Sequence, residues 1–143
     1  MKFHRTSSTL ASLGLAIASI VGFSVVSLSE QMTQAAIAQE AAPTVTTRSN
    51  TNQIGLAIHL RNIGAKLYTA YWCPHCQYQK ERFGLEAVQE LEVVECDRRG
   101  VNPQPDLCTE KGIKGYPTWE INGELYSGNR SLINLANLSG YLR

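Results

Sequence analysis

Cys73 and Cys76 stand two residues apart in the run Tyr71-Trp72-Cys73-Pro74-His75-Cys76. Two thiols at this spacing, at the start of a helix, can close into a small disulfide ring and reopen without moving the backbone. The first sulfur then lies over backbone N–H groups with no partner inside the helix and over the positive end of its dipole, and both stabilise a thiolate. Such a pair supports thiol–disulfide exchange. Cys73 is expected at the exposed helix start as the attacking thiol, and Cys76, facing inward one turn later, as the resolving thiol. His75, when protonated, adds positive charge near the Cys73 sulfur and can donate a hydrogen bond. Both favour the reduced form, and a pair whose reduced form is stabilised is the stronger oxidant. The plainer alternative is a solvated His75. Trp72 is expected to pack beside the pair and line a docking surface, or else to be a core aromatic.

Cys96 and Cys108 bring the cysteine count to four. Their expected state is a second disulfide that ties down the loop Arg98 to Pro105, worth roughly 3 kcal/mol if unstrained. A relay of electrons between the two pairs is the sharper alternative, and it requires the pairs to approach each other. Cys73, His75, Cys76, Cys96 and Cys108 are also soft enough to hold zinc or copper. Structural zinc sites usually repeat the close cysteine pair, however, and the second pair here is widely spaced, so no metal is expected. His59 has no second ligand one turn away and reads as a surface or packing residue.

The elements that must position these residues follow from local pattern. Ile54 to Ile63 has near-helical apolar spacing with Gly64 as a natural C-cap. Ala65 to Tyr71 reads as a strand ending just before the cysteines. A helix starts at Pro74, where the missing N–H costs nothing. It turns Cys76, Phe83, Ala87 and Leu91 inward and Lys80, Glu81, Arg82, Glu86 and Glu90 outward, with an interruption at Gly84. Glu92 to Asp97 is a second strand, and Asp106 to Lys111 a short helical turn. Thr118 to Ile121 and Glu124 to Tyr126 form a hairpin around Asn122-Gly123. Asn129 or Ser131 caps a last helix that points Leu132, Leu135, Ala136 and Leu138 at the core. The fold class is α/β, with a central mixed β-sheet of about four strands flanked by helices.

At 143 residues there is room for one domain, and residues 1–38 do not read as part of it. A short basic start, an apolar run from Leu10 to Leu28 and the small-x-small site Ala36-Ile37-Ala38 together predict a signal peptide cleaved before Gln39, or an uncleaved membrane anchor. Either outcome exports the rest, where disulfides persist. Residues 39–53, rich in Ala, Thr, Ser and Asn, read as a flexible linker to a domain at 54–143. Setting aside Lys2, Arg5 and Glu30 leaves 11 basic and 11 acidic side chains from the 13 and 12 of the whole chain. That neutral balance, without a basic run, excludes nucleic acid and an anionic membrane surface as expected partners.

A strand ending in Trp72-Cys73-Pro74-His75-Cys76 at a helix start, then Tyr116-Pro117-Thr118 opening a hairpin before a final helix, resembles the thioredoxin superfamily over about residues 65–142. With His59 to Lys66, Cys96, Cys108 and Gly115 to Trp119, the pattern is most similar to the thioredoxin-like domain fused to vitamin K epoxide reductase homologues in photosynthetic bacteria and plastids. The resemblance implies a shortened thioredoxin-like fold, with one short helix where a thioredoxin has an extra strand and helix. It implies a cis Tyr116–Pro117 bond facing the cysteines, with Trp72, Tyr116 and Pro117 as substrate-binding residues and Cys73, Cys76 and His75 as catalytic ones. Thioredoxin reductants keep a buried carboxylate six residues before the first cysteine; that position here is Leu67, which tilts the direction toward oxidation. The activity so implied is an exported disulfide oxidoreductase, monomeric and without a dissolved cofactor, in the periplasm or thylakoid lumen. Its partners would be client proteins and a separate membrane quinone-linked reductase of the vitamin K epoxide reductase type.

Overall fold

The computed structural model describes residues 38–141. The signal peptide or anchor expected over 1–38 therefore lies outside the described residues except for its last position. Helix α1 (Thr51–Asn62) begins three residues before its apolar pattern does. The cause is a reciprocal cap: Gln53 N–H donates to Asn50 Oδ1 at 3.0 Å, and Asn50 N–H donates to Gln53 Oε1 at 2.6 Å. At its other end the chain turns away through Gly64 at φ +72°, where a side chain would be strained.

Strand β1 (Lys66–Thr69) then runs through the middle of a four-stranded mixed sheet of order β2-β1-β3-β4. It pairs in parallel with β2 (Glu92–Glu95) and antiparallel with β3 (Thr118–Ile121), which returns through Asn122-Gly123 into β4 (Glu124–Ser127). Successive residues of β1 serve opposite faces of the sheet, as the pleat requires. Leu67 joins Leu56, Leu60, Phe83, Ala87, Trp119, Ile121 and Leu135 in the main core. Tyr68 joins Val94, Cys96 and Cys108 in a smaller one. The main core is thus supplied from α1, from α2 (Pro74–Phe83), from α3 (Leu85–Val88) and from α5 (Leu132–Ser139), while α4 (Pro105–Glu110) brings Cys108 to the other face. The architecture is the expected one, a shortened α/β fold with helices on both faces of a mixed sheet.

The flexible linker expected over 39–53 needs correction. From Glu40 to Asn50 the chain is a strap bound to the domain. Glu40 N–H donates to Arg99 O at 2.6 Å, Val45 is buried, and the Thr46 and Thr47 amides both donate to the Glu81 carboxylate at 3.0 Å. Further on, Ser49 N–H donates to Glu86 Oε2 at 2.8 Å, and Ser49 Oγ links Phe83 O to Ala87 N–H. Gly84, at φ +85°, ends α2 and leaves the strap room; a Cβ there would stand 2.6 Å from Ser49 Oγ and 2.7 Å from the Arg48 carbonyl carbon.

Candidate active site

Strand β1 delivers the chain to Cys73, which is the N-cap of α2; Pro74 holds the first helical turn. Cys73 and Cys76 are joined in a disulfide with Cα atoms 5.3 Å apart. The Cys76 N–H, one of the amides that a helix start leaves without an internal partner, donates to Cys73 Sγ at 3.1 Å. The thiol that stays in this position on reduction therefore keeps a donor and the helix dipole behind it. Cys73 is 5% exposed and Cys76 1%, so the expected contrast between an open and a covered sulfur is a small one. Ala70 clusters with both cysteines, and Tyr116 packs against that cluster.

Trp72 lies beside the pair with 55% of its surface exposed. Its indole N–H donates to Asp97 Oδ2 at 2.8 Å, and its ring meets Tyr116 edge-on at 6.2 Å. The first of the two readings of Trp72, a surface aromatic flanking the cysteines, is the one the geometry gives. Tyr116 precedes Pro117 across a cis peptide bond, and Pro117 is fully buried at the mouth of β3. Tyr116 touches both sulfur sites, packing on Cys73 and Cys76 and on the cluster of Cys96 and Cys108.

No family model matches the chain. Against curated proteins it is 43% identical over 100 residues to a thiol-disulfide oxidoreductase of Arabidopsis thaliana named LTO1, a match that covers 68% of this chain and 27% of that protein. The chain thus spans about a quarter of the length of that relative. A strand running into a Cys-x-x-Cys helix start, a cis proline opening the hairpin, and this similarity agree. The domain is thioredoxin-like.

Within the thioredoxin-like domain, His75 faces solvent from the first turn of α2. Its ring is exposed, and its hydrogen-bond partner among the described residues is Asn129, whose Nδ2 lies 3.5 Å from His75 Nδ1; no hydrogen bond to a sulfur is formed in this disulfide-bonded state. Cys96 and Cys108 form the second disulfide, Cα atoms 5.8 Å apart, between the end of β2 and α4. Among the described residues no group of three or more His, Cys, Asp or Glu side chains is arranged to hold a metal ion.

Two charged residues went unrecognised in the sequence. Lys80, expected on the outer side of α2, is only 8% exposed, and burial pulls its pKa below the usual value against the attraction of Glu95. Glu95, at the end of β2, is held above the usual carboxylate range, chiefly by burial and against the N–H bonds it accepts from Asp97 and Tyr71. Leu67 is apolar and buried as expected, so the position of the family's carboxylate is empty of charge. Burial, then Glu95 and Asp97, push the Tyr116 hydroxyl up. The signal for Lys80 was its spacing, since it falls one turn after inward-facing Cys76 on the same helix face.

Proposed function

We propose that this protein is an exported thiol–disulfide oxidoreductase that oxidises the thiols of client proteins. A client thiolate attacks Cys73 Sγ. The Cys73–Cys76 bond breaks, Cys76 leaves as a thiolate, and a mixed disulfide joins the client to Cys73. A second client thiolate then attacks the client sulfur of that bond and expels Cys73. The client has lost two electrons and two protons, and the cysteine pair has gained them as a dithiol. In the reverse direction Cys73 attacks a client disulfide and Cys76 resolves the mixed disulfide.

The observation that carries this reading is the hydrogen bond from the Cys76 amide to Cys73 Sγ at a helix start, because it stabilises the thiolate that both directions need. The named activity of the Arabidopsis relative supports the same chemistry. Trp72, Tyr116 and Pro117 receive the client chain beside the pair, His75, when protonated, adds positive charge near the helix start, and Cys96–Cys108 fastens the loop below. A membrane quinone-linked reductase of the vitamin K epoxide reductase type reoxidises the dithiol. Delivery to the periplasm or thylakoid lumen rests on the apolar segment and the small-residue site before Gln39.

The test is the equilibrium potential of the Cys73/Cys76 pair in glutathione buffers, read by alkylation of Cys73. A potential more oxidising than that of thioredoxin, about −270 mV, is expected; a value at or below it reverses the assigned direction. Unchanged turnover in Cys73→Ser overturns the exchange mechanism itself.

A further inference from the structure

Beside the Cys73 sulfur lies a hollow of about 280 Å³ lined by Pro43, Tyr71, Trp72, Cys73, Pro74 and Gln77. Five of these come from the cysteine motif and the helix it opens. Pro43 comes from the strap, far away in sequence, so the wall opposite the motif exists only because the strap is docked. The strap is held on both sides of Pro43, by Glu40 N–H on Arg99 O at 2.6 Å and by Gln77 Nε2 on Thr44 O at 3.2 Å.

The lining is mainly prolines, aromatic rings and sulfur. The carboxamide nitrogen of Gln77 is already engaged by Thr44 O and by Glu81 Oε1 at 2.9 Å. The rings are also set in place beforehand: Trp72 by Asp97 and Tyr116, and Tyr71 by the Arg99 guanidinium 5.7 Å from its centroid. Pre-placed walls lower the cost of ordering on binding. The volume falls just below the roughly 300–1,000 Å³ of sites that enclose a small-molecule ligand, which suits a single side chain. Reach decides which one. A disulfide holds its two Cα atoms about 4.4–6.8 Å apart, and the next residue is about 3.8 Å further on. The residue beside a client cysteine bonded to Cys73 therefore arrives at the hollow that Cys73 itself lines.

We propose that this hollow takes an apolar side chain of the client, carried by the residue next to the cysteine that bonds Cys73, and that the strap makes the domain selective for such clients. The proposal rests on the exchange reading of Cys73 given above.

The experiment uses the full chain and a set of two-cysteine peptides that differ only in the residue beside one cysteine: Leu, Phe, Gly or Asp. Reduced glutathione, which has no such side chain, serves as the reference substrate. With all peptides presented reduced, the Leu and Phe peptides are expected to exceed the Gly peptide by about tenfold in the second-order rate constant for reducing the Cys73–Cys76 disulfide in a single turnover, mostly through tighter binding, as partial burial of one apolar side chain gives. In Pro43→Asp that ratio is expected to collapse toward one. Because the readout is a ratio between peptides, a general loss of activity in the variant does not imitate it. Equal rates for all four peptides, with glutathione still oxidised, overturn the pocket and leave the exchange mechanism standing. A full preference retained in Pro43→Asp overturns the part assigned to the strap. Failure to oxidise glutathione or any peptide overturns the exchange reading instead.

Discussion

The Cys76 amide donates to the Cys73 sulfur at 3.1 Å, and this contact makes the two cysteines unequal although both are nearly covered. The donor belongs to the helix and persists when the disulfide opens, so it favours negative charge on Cys73 and does nothing similar for Cys76. Hydrogen bonds to charged groups contribute about 1.5–3 kcal/mol. In the reduced protein, iodoacetamide at neutral pH is expected to alkylate Cys73 at least about tenfold faster than Cys76. Cys73→Ser is expected to abolish turnover, and Cys76→Ser to accumulate a client mixed disulfide on Cys73, visible on a non-reducing gel. Equal alkylation of the two cysteines would remove the asymmetry on which their roles rest.

The strap depends on two carboxylates. Glu81 is held down at about 2 by the Thr47 and Thr46 amides, and Glu86 at about 2 by the Ser49 amide and Arg48. Both groups bind protons more weakly in the folded chain than at the usual 4.5. Their contribution to stability is therefore complete above that pH and is lost as pH falls from there toward 2. Protection of the Thr46, Thr47 and Ser49 amides, measured relative to their intrinsic exchange at each pH, is expected to fall across this window ahead of that of the β1 amides. In Glu81→Gln the acid step at Thr46 and Thr47 should shrink. Gly84→Ala should speed exchange of the same amides at neutral pH, because the added methyl meets Ser49 and the Arg48 backbone. Exchange that stays slow in Gly84→Ala would show that the strap is held by other contacts.

The second disulfide closes a loop over a separation of 12 residues. Chain-entropy arithmetic for a loop of this size gives about 3 kcal/mol. Replacing Cys96 and Cys108 together by Ala should cost about that much in denaturant unfolding, while Cys73-dependent turnover of a small dithiol continues. Tyr116 packs against both clusters that contain the cysteine pairs, and a relay would have to pass through it. A double variant that folds at low temperature yet stops turning over would establish that relay and remove the purely structural role.

What could be read from the sequence was whatever has a local cause. Pro74 and Gly84 bound α2, Asn122-Gly123 sets the hairpin and Ser131 caps α5, because each acts through its own backbone or through residues within one turn. The strap could not be read this way. Its residues are polar and its order comes from Glu81 and Glu86, more than thirty positions away, so composition alone describes a linker. His75 is a similar case: its place between the sulfurs in sequence suggested contact with them, whereas the helix turns its ring outward to Asn129. Cys73 is more covered than a helix start implies, with Tyr116, forty-three residues on in the chain, packed against the cluster that holds it.

Lys80 is under cover because it lies one turn after Cys76 on the inward face of α2. Burial pulls the Lys80 pKa below its usual value, and Glu95 opposes that shift. Glu95→Gln removes the charge that opposes the Lys80 shift, so the Lys80 pKa should fall further below its usual value. The pH dependence has a definite sign. The folded chain binds the Lys80 proton less tightly than the unfolded chain does, so stability rises with pH as the unfolded lysine titrates toward 10.5. The stability difference between wild type and Lys80→Met should therefore change in favour of wild type over that range, as followed by urea unfolding at several pH values. A difference that does not move with pH would mean that Lys80 keeps its proton as easily in the folded chain as in water.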